Sequence, residues 1–201
     1  MLLRSALCIG LTAAAFAVAV SQPSWAQKSA ETPPPASATK PDAAAQPGDP
    51  FGEDTMLPGK PVVYMKGTGS WDSAFETITG SLKSLKAYID KEGLKADGQP
   101  MTIFTSTDDT GFQYEAAVPV AAPPKNPPHG DIAVGTSPQG HALKFVHRGS
   151  YDSLDNTYEA ITNYLDEKKL EAKDMFIEQY VTDPASSGPD HLVVNVFVLV
   201  K

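Results

Sequence analysis

Glu115 is the carboxylate whose neighbours suggest chemistry. It lies in a run, 112–120, that alternates with period two: Phe112, Tyr114, Ala116, Val118 and Val120 share one face, and Gln113, Glu115, Ala117 and Pro119 share the other. On a solvated face Glu115 is an ordinary exposed acid. On a face lining a groove, a partly desolvated carboxylate favours a bound cation. The run 192–200 places Asn195, Phe197 and Leu199 on the matching face, with apolar residues on its other face too, which implies cover by protein or ligand. Asn195 would give one hydrogen-bonding site and Phe197 an apolar wall. Trp71 and Tyr151 open two similar segments. Their rings read either as anchors packed on a sheet or as walls for a flat ligand, with a cation–π attraction of roughly 0.5–2 kcal/mol. Glu115, Trp71, Tyr151, Asn195 and Phe197 are therefore the candidate ligand-binding set. Tyr88, Tyr158 and Tyr164 read as core or core-edge residues, each with a hydroxyl able to orient a polar group.

Other chemistries find less support. His129, His141, His147 and His191 include no helical i, i+4 metal pair, and His141 and His147 lie about 20 Å apart along one strand, so surface histidine is the default and no metal is expected. There is no Gly-x-Ser-x-Gly elbow. The sequence Gly67-Thr68-Gly69 lacks the third glycine and the lysine of a nucleotide loop. Glu115 with Tyr151 or Tyr164 could act as base and positioner for a hydrolase or lyase, but no second carboxylate stands at the matching strand position. The 201 residues carry 16 Lys plus Arg against 24 Asp plus Glu, a net charge of -8, which argues against a nucleic-acid partner or a bulk anionic membrane. One cysteine, Cys8, excludes a disulfide framework or a Cys-rich zinc site.

These residues sit in two stretches, about 60–120 and 130–201, that resemble each other. Gly69-Ser70-Trp71-Asp72-Ser73 in the first matches Gly149-Ser150-Tyr151-Asp152-Ser153 in the second. Each then enters a helical pattern: Trp71, Phe75, Ile78, Leu82, Leu85 and Ile89 in one, Leu154, Tyr158, Ile161 and Leu165 in the other. Ser73 and Glu76 have capping-box spacing, with Ser70 a rival cap. The helices end near Gly93 and Leu170, and strand-like runs follow at about 101–106, 112–120, 175–182 and 192–200. Strands precede the helices at about 62–66 and 143–147, with another at 132–136 before the turn Ser137-Pro138-Gln139-Gly140. Gly69 to Glu115 and Gly149 to Asn195 are both separated by 46 residues. The expected fold is α+β: duplicated strand–helix–strand–strand units with antiparallel sheets and a pseudo-twofold axis between them.

The amino terminus reads as an address. Arg4, the uncharged stretch 6–20, and Ser24-Trp25-Ala26 form a signal peptide, 1–26, cleaved after Ala26. Residues 27–58 are rich in Pro, Ala, Ser, Thr and Gln and read as a disordered tether, followed by the domain at 59–201. A periplasmic or secreted monomer follows, without an integral membrane segment once the signal is removed.

The order of these motifs resembles the GyrI-like family, which includes effector-binding domains of bacterial multidrug-responsive activators and belongs to the SOUL-type haem-binding superfamily. The second half carries the resemblance best, through the turn–strand sequence 137–148 leading into Gly149-Ser150-Tyr151, the aromatic positions Tyr158 and Tyr164, and Tyr180 with Thr182-Asp183-Pro184. The resemblance implies a groove between the halves that binds a small, often flat or cationic molecule, with an acid on the last strand meeting its charge. Here Asn195 stands at that acid's place and Leu199 at that of a usual Pro, whereas the first half keeps both as Glu115 and Pro119. The superfamily leaves haem ligation by one His open, but no cofactor is expected.

The reading that results is an exported module that holds a hydrophobic small molecule, cationic or neutral, between its halves and makes or breaks no bond. The alternatives are a hydrolase or lyase with Glu115 as base in the same groove, or a cell-envelope interaction protein working through its tether.

Overall fold

A computed structural model of the chain describes Gly48, Asp49 and residues 51–201. The signal peptide and most of the tether lie outside these residues. The described chain forms eight strands: β1 Phe51–Pro58, β2 Pro61–Ser70, β3 Met101–Thr107, β4 Gly111–Pro119, β5 Ile132–Thr136, β6 Gln139–Gly149, β7 Ala172–Tyr180 and β8 Leu192–Val200. The helices are α1 Ala74–Glu92, α2 Leu154–Lys168 and the single turn α3 Pro184–Ser187. Short 3-10 turns, Trp71–Ser73 and Tyr151–Ser153, lead into α1 and α2. The last eight residues assigned to the tether are thus a strand: β1 pairs along its length with β6, and its Phe51 ring packs edge-on against Phe145 and Tyr164.

The expected duplication is present, but its two sheets are joined into one. All eight strands form a single antiparallel sheet in the order β1-β6-β8-β7-β3-β4-β2-β5. Each half contributes strand–helix–strand–strand, β2-α1-β3-β4 and β6-α2-β7-β8, and the halves meet where β3 pairs with β7. The registers agree. Glu115 faces Lys66 on one side and Ile103 on the other, and Asn195 faces Val146 and Gln179. Under that alignment Thr102 and Glu178 are equivalent positions. They are also directly opposite each other across the β3–β7 pair, so the pseudo-twofold axis passes between them.

The leading strands are exchanged between the halves. β1 runs into β2 but pairs with β6, whereas β5 runs into β6 but pairs with β2. Only Gly59 and Lys60 separate β1 from β2, although these strands stand far apart in the sheet order. So short a link requires the sheet to curl until its ends approach. The two turns touch where they meet: the Ser137 amide donates to the Lys60 carbonyl at 2.8 Å, and the Lys60 amide donates to Ser137 Oγ at 2.9 Å.

Curling gives the sheet two different faces. The outer face packs on α1 and α2 through Val63, Phe104, Tyr114, Phe145, Val194 and Val196, with the stripe Ile78, Leu82, Leu85 and Ile89 of α1 and Leu154, Ile161 and Leu165 of α2. The inner face closes on itself through Val62, Met101, Ile103, Ala117, Ala142, Ile177, Phe197 and Leu199. Both long helices end with a left-handed residue that lets the next amide reach back to the last turn, Gly93 in α1 and Lys169 in α2. The first helix start is bare of a side-chain cap, whereas Ser150 Oγ accepts from the Ser153 amide at the second. Among the described residues, no helix is long and apolar enough to cross a membrane.

Candidate functional site

The pseudo-twofold axis leads to a cavity. On the helix side of the sheet, between the starts of α1 and α2, lies an open cavity of about 730 Å³. The two 3-10 turns bring Trp71 with Asp72 and Tyr151 with Asp152 to its sides. Strands β3 and β7 supply Phe104, Phe176 and Glu178, and α2 adds Asp155 and Tyr158. Five of the thirteen lining residues are aromatic: Trp71, Phe104, Tyr151, Tyr158 and Phe176. Among the described residues the lining holds four carboxylates and no Lys, Arg or His.

Glu178 is the chemical centre. It is 1% exposed and sits near the carboxyl end of β7 on the face shared with Phe176 and Tyr180. Both carboxylate oxygens are held: the Tyr158 hydroxyl donates to Oε1 at 2.8 Å and the Tyr180 hydroxyl to Oε2 at 2.7 Å. Burial pushes the Glu178 carboxyl up to about 7, against the pull of the hydrogen bonds from Tyr180 and Tyr158. Burial also drives Tyr158 and Tyr180 well above the ordinary tyrosine range, and the Glu178 charge reinforces this. Tyr151 shifts the same way, first by burial and then by Glu178 and Asp155. The three phenols therefore remain proton donors at any physiological pH, and Glu178 is the group that titrates near neutrality.

The aromatic walls are fixed from behind. Trp71 Nε1 donates to the Asp108 carbonyl at 2.8 Å, so the β3–β4 turn holds the indole, whose ring lies against Phe112 at 4.8 Å and stacks towards Phe104 at 6.3 Å. It is nevertheless 44% exposed, as suits a ring at a mouth. Tyr151 packs on Phe75 at 5.4 Å, and Tyr158 meets Phe176 edge-on at 5.6 Å.

The sheet divides the five residues that the sequence groups together. Trp71 and Tyr151 line the cavity. Glu115, Asn195 and Phe197 are on the opposite, inner face, because residues that alternate along a strand cannot share a side with its helix-facing set. Glu115 is tied to Lys66 Nζ at 3.1 Å, Asn195 donates to Gln179 Oε1 at 3.1 Å, and Phe197 is buried in the inner cluster. That face retains a space of about 100 Å³ lined by Met101, Ile177, Gln179 and Phe197 among others, small beside the first. A base at Glu115 in a groove shared with Trp71 and Tyr151 is therefore not what the fold builds.

Tyr158 is a site residue as well as a core-edge one, and Glu178 was not among the residues singled out from the sequence. Two signals pointed to Glu178: an acid between Phe176 and Tyr180 on the apolar face of a strand, and its equivalence to Thr102 at the centre of the repeat. His129, His141 and His191 are exposed, but His147 is 1% exposed, against the surface default. It spans the junction of β6 and α2, with Nε2 at 3.0 Å from the Ser150 carbonyl and Nδ1 at 2.8 Å from Thr157 Oγ1, and burial lowers its basicity.

EcmrR in its DNA complex superposes with a TM-score of 0.64 at 16% identity, over 75% of this chain and 57% of that one, so this chain spans little more than half of that relative. The EcmrR C-terminal domain alone gives 0.59 at 17%, over 76% and 98%. A hydrolase from Listeria innocua gives 0.57 at 13%, over 78% and 94%, and SAV2435 bound to tetraphenylphosphonium gives 0.50 at 15%, over 75% and 94%. At such identities the likeness is one of fold. No curated protein matches the sequence. Residues 55–201 match the family described as the GyrI-like small molecule binding domain, from within β1 to the last residue. The duplicated fold with its axial cavity and this match over most of the chain together make the protein a member of the GyrI-like small molecule binding domain family.

Proposed function

We propose that this domain reversibly captures a hydrophobic, cationic small molecule in the axial cavity, and that it does so outside the cytoplasm. One observation carries the first part: a buried carboxylate, Glu178, at the heart of an aromatic cavity whose charged lining is wholly acidic among the described residues. A desolvated anion there gains far more from a cation than from water, and aromatic faces add to the attraction. No group in the arrangement needs to form or break a bond for this to work. SAV2435, of the same fold, is a structure with a lipophilic cation bound. Export is supported by Arg4, the uncharged stretch 6–20 and Ser24-Trp25-Ala26.

The test uses tetraphenylphosphonium and its neutral relative triphenylphosphine oxide. Calorimetric titration should show preference for the cation, strengthening as pH rises through about 7 as Glu178 ionises. Equal affinity for both compounds at pH 8 rejects the reading. Export is checked by the mass of the chain recovered from an envelope extract, which should begin at Gln27.

A second reading rests on one feature, the elevation of Glu178 to near neutrality, which suits a general base or acid. In that case the chain turns over esters or epoxides and loses the activity as Glu178→Gln. Absence of turnover across such substrates leaves the binding role alone.

A further inference from the structure

Thr102 lines no part of the cavity, yet it lies directly opposite Glu178 on the axis and is fully buried. Its Oγ1 is 3.2 Å from the Tyr180 hydroxyl, which in turn is 2.7 Å from Glu178 Oε2. The protons can be counted. An ionised carboxylate only accepts, so the one proton of Tyr180 is directed at Glu178. The Tyr180 oxygen is then left as an acceptor, and the hydrogen between it and Thr102 must come from Thr102. The result is a one-way chain, Thr102 to Tyr180 to Glu178, closed on the other side by Tyr158 at 2.8 Å.

We infer that Thr102 is a positioning residue for the axial carboxylate: its hydroxyl commits the Tyr180 proton to Glu178 and so sets the pH at which the cavity acquires its buried negative charge. Each donor in such a chain polarises the next, and the effect is greatest when the chain ends on a charge. Among the described residues, the groups facing Glu178 include no cation to do this work. They are Tyr180 on its own strand, Tyr158 and Asp155 from α2, and Tyr151 and Asp152 from the preceding turn. Thr102 faces it from β3, Val196 from β8, and Asp72 lies across the cavity. Burial opposes ionisation, and the hydroxyls of Tyr180 and Tyr158 are what favour it. The chain's importance for ligand uptake rests on the proposed cation binding, but its effect on Glu178 does not.

The experiment follows the Glu178 side-chain carboxyl by ¹³C NMR during a pH titration of the ligand-free full chain, with the resonance assigned by its loss in Glu178→Gln. Thr102→Val keeps the shape and removes the hydroxyl, and should raise the midpoint by about half a pH unit. Thr102→Ala carries the same expectation without β-branching. Tyr180→Phe removes the direct donor and should raise the midpoint by about one to two units. Thr102→Ser restores the hydroxyl and should return the wild-type midpoint. A midpoint unmoved by Thr102→Val and Thr102→Ala, or moved as far by Thr102→Ser, overturns the inference. Tetraphenylphosphonium titrations on the same variants separate the two claims. If the midpoint shifts but the phosphonium is ignored at every pH, the relay stands and the proposed function falls. If binding tracks the midpoint, both are supported.

Discussion

The two halves share one scaffold and divide its work unequally. Their strands keep the same register, their helices end in the same left-handed turn, and Trp71 and Tyr151 stand at the same place beside the cavity. The positions that matter chemically differ. Where the second half has Glu178 and Tyr180 on β7, the first has Thr102 and Phe104 on β3. Counted from the aromatic at each helix start, Tyr158 stands where Ile78 does. One half thus provides the buried, hydrogen-bonded carboxylate, and the other a wall of Trp71, Asp72, Ala74, Phe104 and Thr107 with the Thr102 hydroxyl behind it. The reason is electrostatic. Two carboxylates opposed across the axis would suppress each other's ionisation, whereas one carboxylate held by neutral donors can keep its charge.

That asymmetry can be broken. The largest effect should come from Glu178→Gln, which should weaken tetraphenylphosphonium binding by about 2–5 kcal/mol in calorimetry, while Glu115→Gln on the inner face leaves it unchanged. Equal losses in the two variants would mean that the halves share the charge after all. Next in size is stability. The folded-state value of Glu178, about 7, lies above its ordinary 4.5. Its contribution to the ligand-free protein is therefore complete below about pH 4.5 and is lost as pH rises to about 7, a change on the order of 3 kcal/mol. Urea denaturation should show that decline in the wild type and its absence in Glu178→Gln. The paired aromatics come third. Trp71→Ala and Tyr151→Ala should each cost about 0.5–2 kcal/mol of phosphonium affinity, and a neutral aromatic ligand should lose less.

The smallest effect concerns the helix ends. Gly93 adopts φ 62° at no steric cost, but Lys169 adopts φ 55° with a side chain attached. Lys169→Gly should stabilise the fold by about 1 kcal/mol and Gly93→Ala should destabilise it by a similar amount, both read from thermal melts. A loss on Lys169→Gly would show that the lysine side chain makes up for the strain.

Much of the architecture was legible because it depends on local pattern. The matched Gly-Ser-aromatic-Asp-Ser openings, the helical stripes and the alternating runs each predict an element within a few residues of where it lies. Their common spacing predicts the duplication and its axis. β1 escaped because an edge strand of mixed polarity, Phe51–Pro58, carries no clear alternation and follows a Pro-rich stretch; its partner β6 lies some 90 residues away. His147 escaped because a lone polar residue in a strand says nothing of what packs upon it.

The sequence by itself determined the fold class, the repeat, and the matched places of Trp71 and Tyr151 at the two helix starts, since all three follow from the order and period of side chains along the chain. Tertiary structure alone decided which face of the sheet carries the axial cavity. Alternation sorts Glu115 and Glu178 onto opposite sides but is blind to which side the helices leave open. Only the curling of the sheet, which buries the inner face against itself, and the meeting of β3 with β7, which puts Glu178 on the axis beneath two tyrosines, settle that choice.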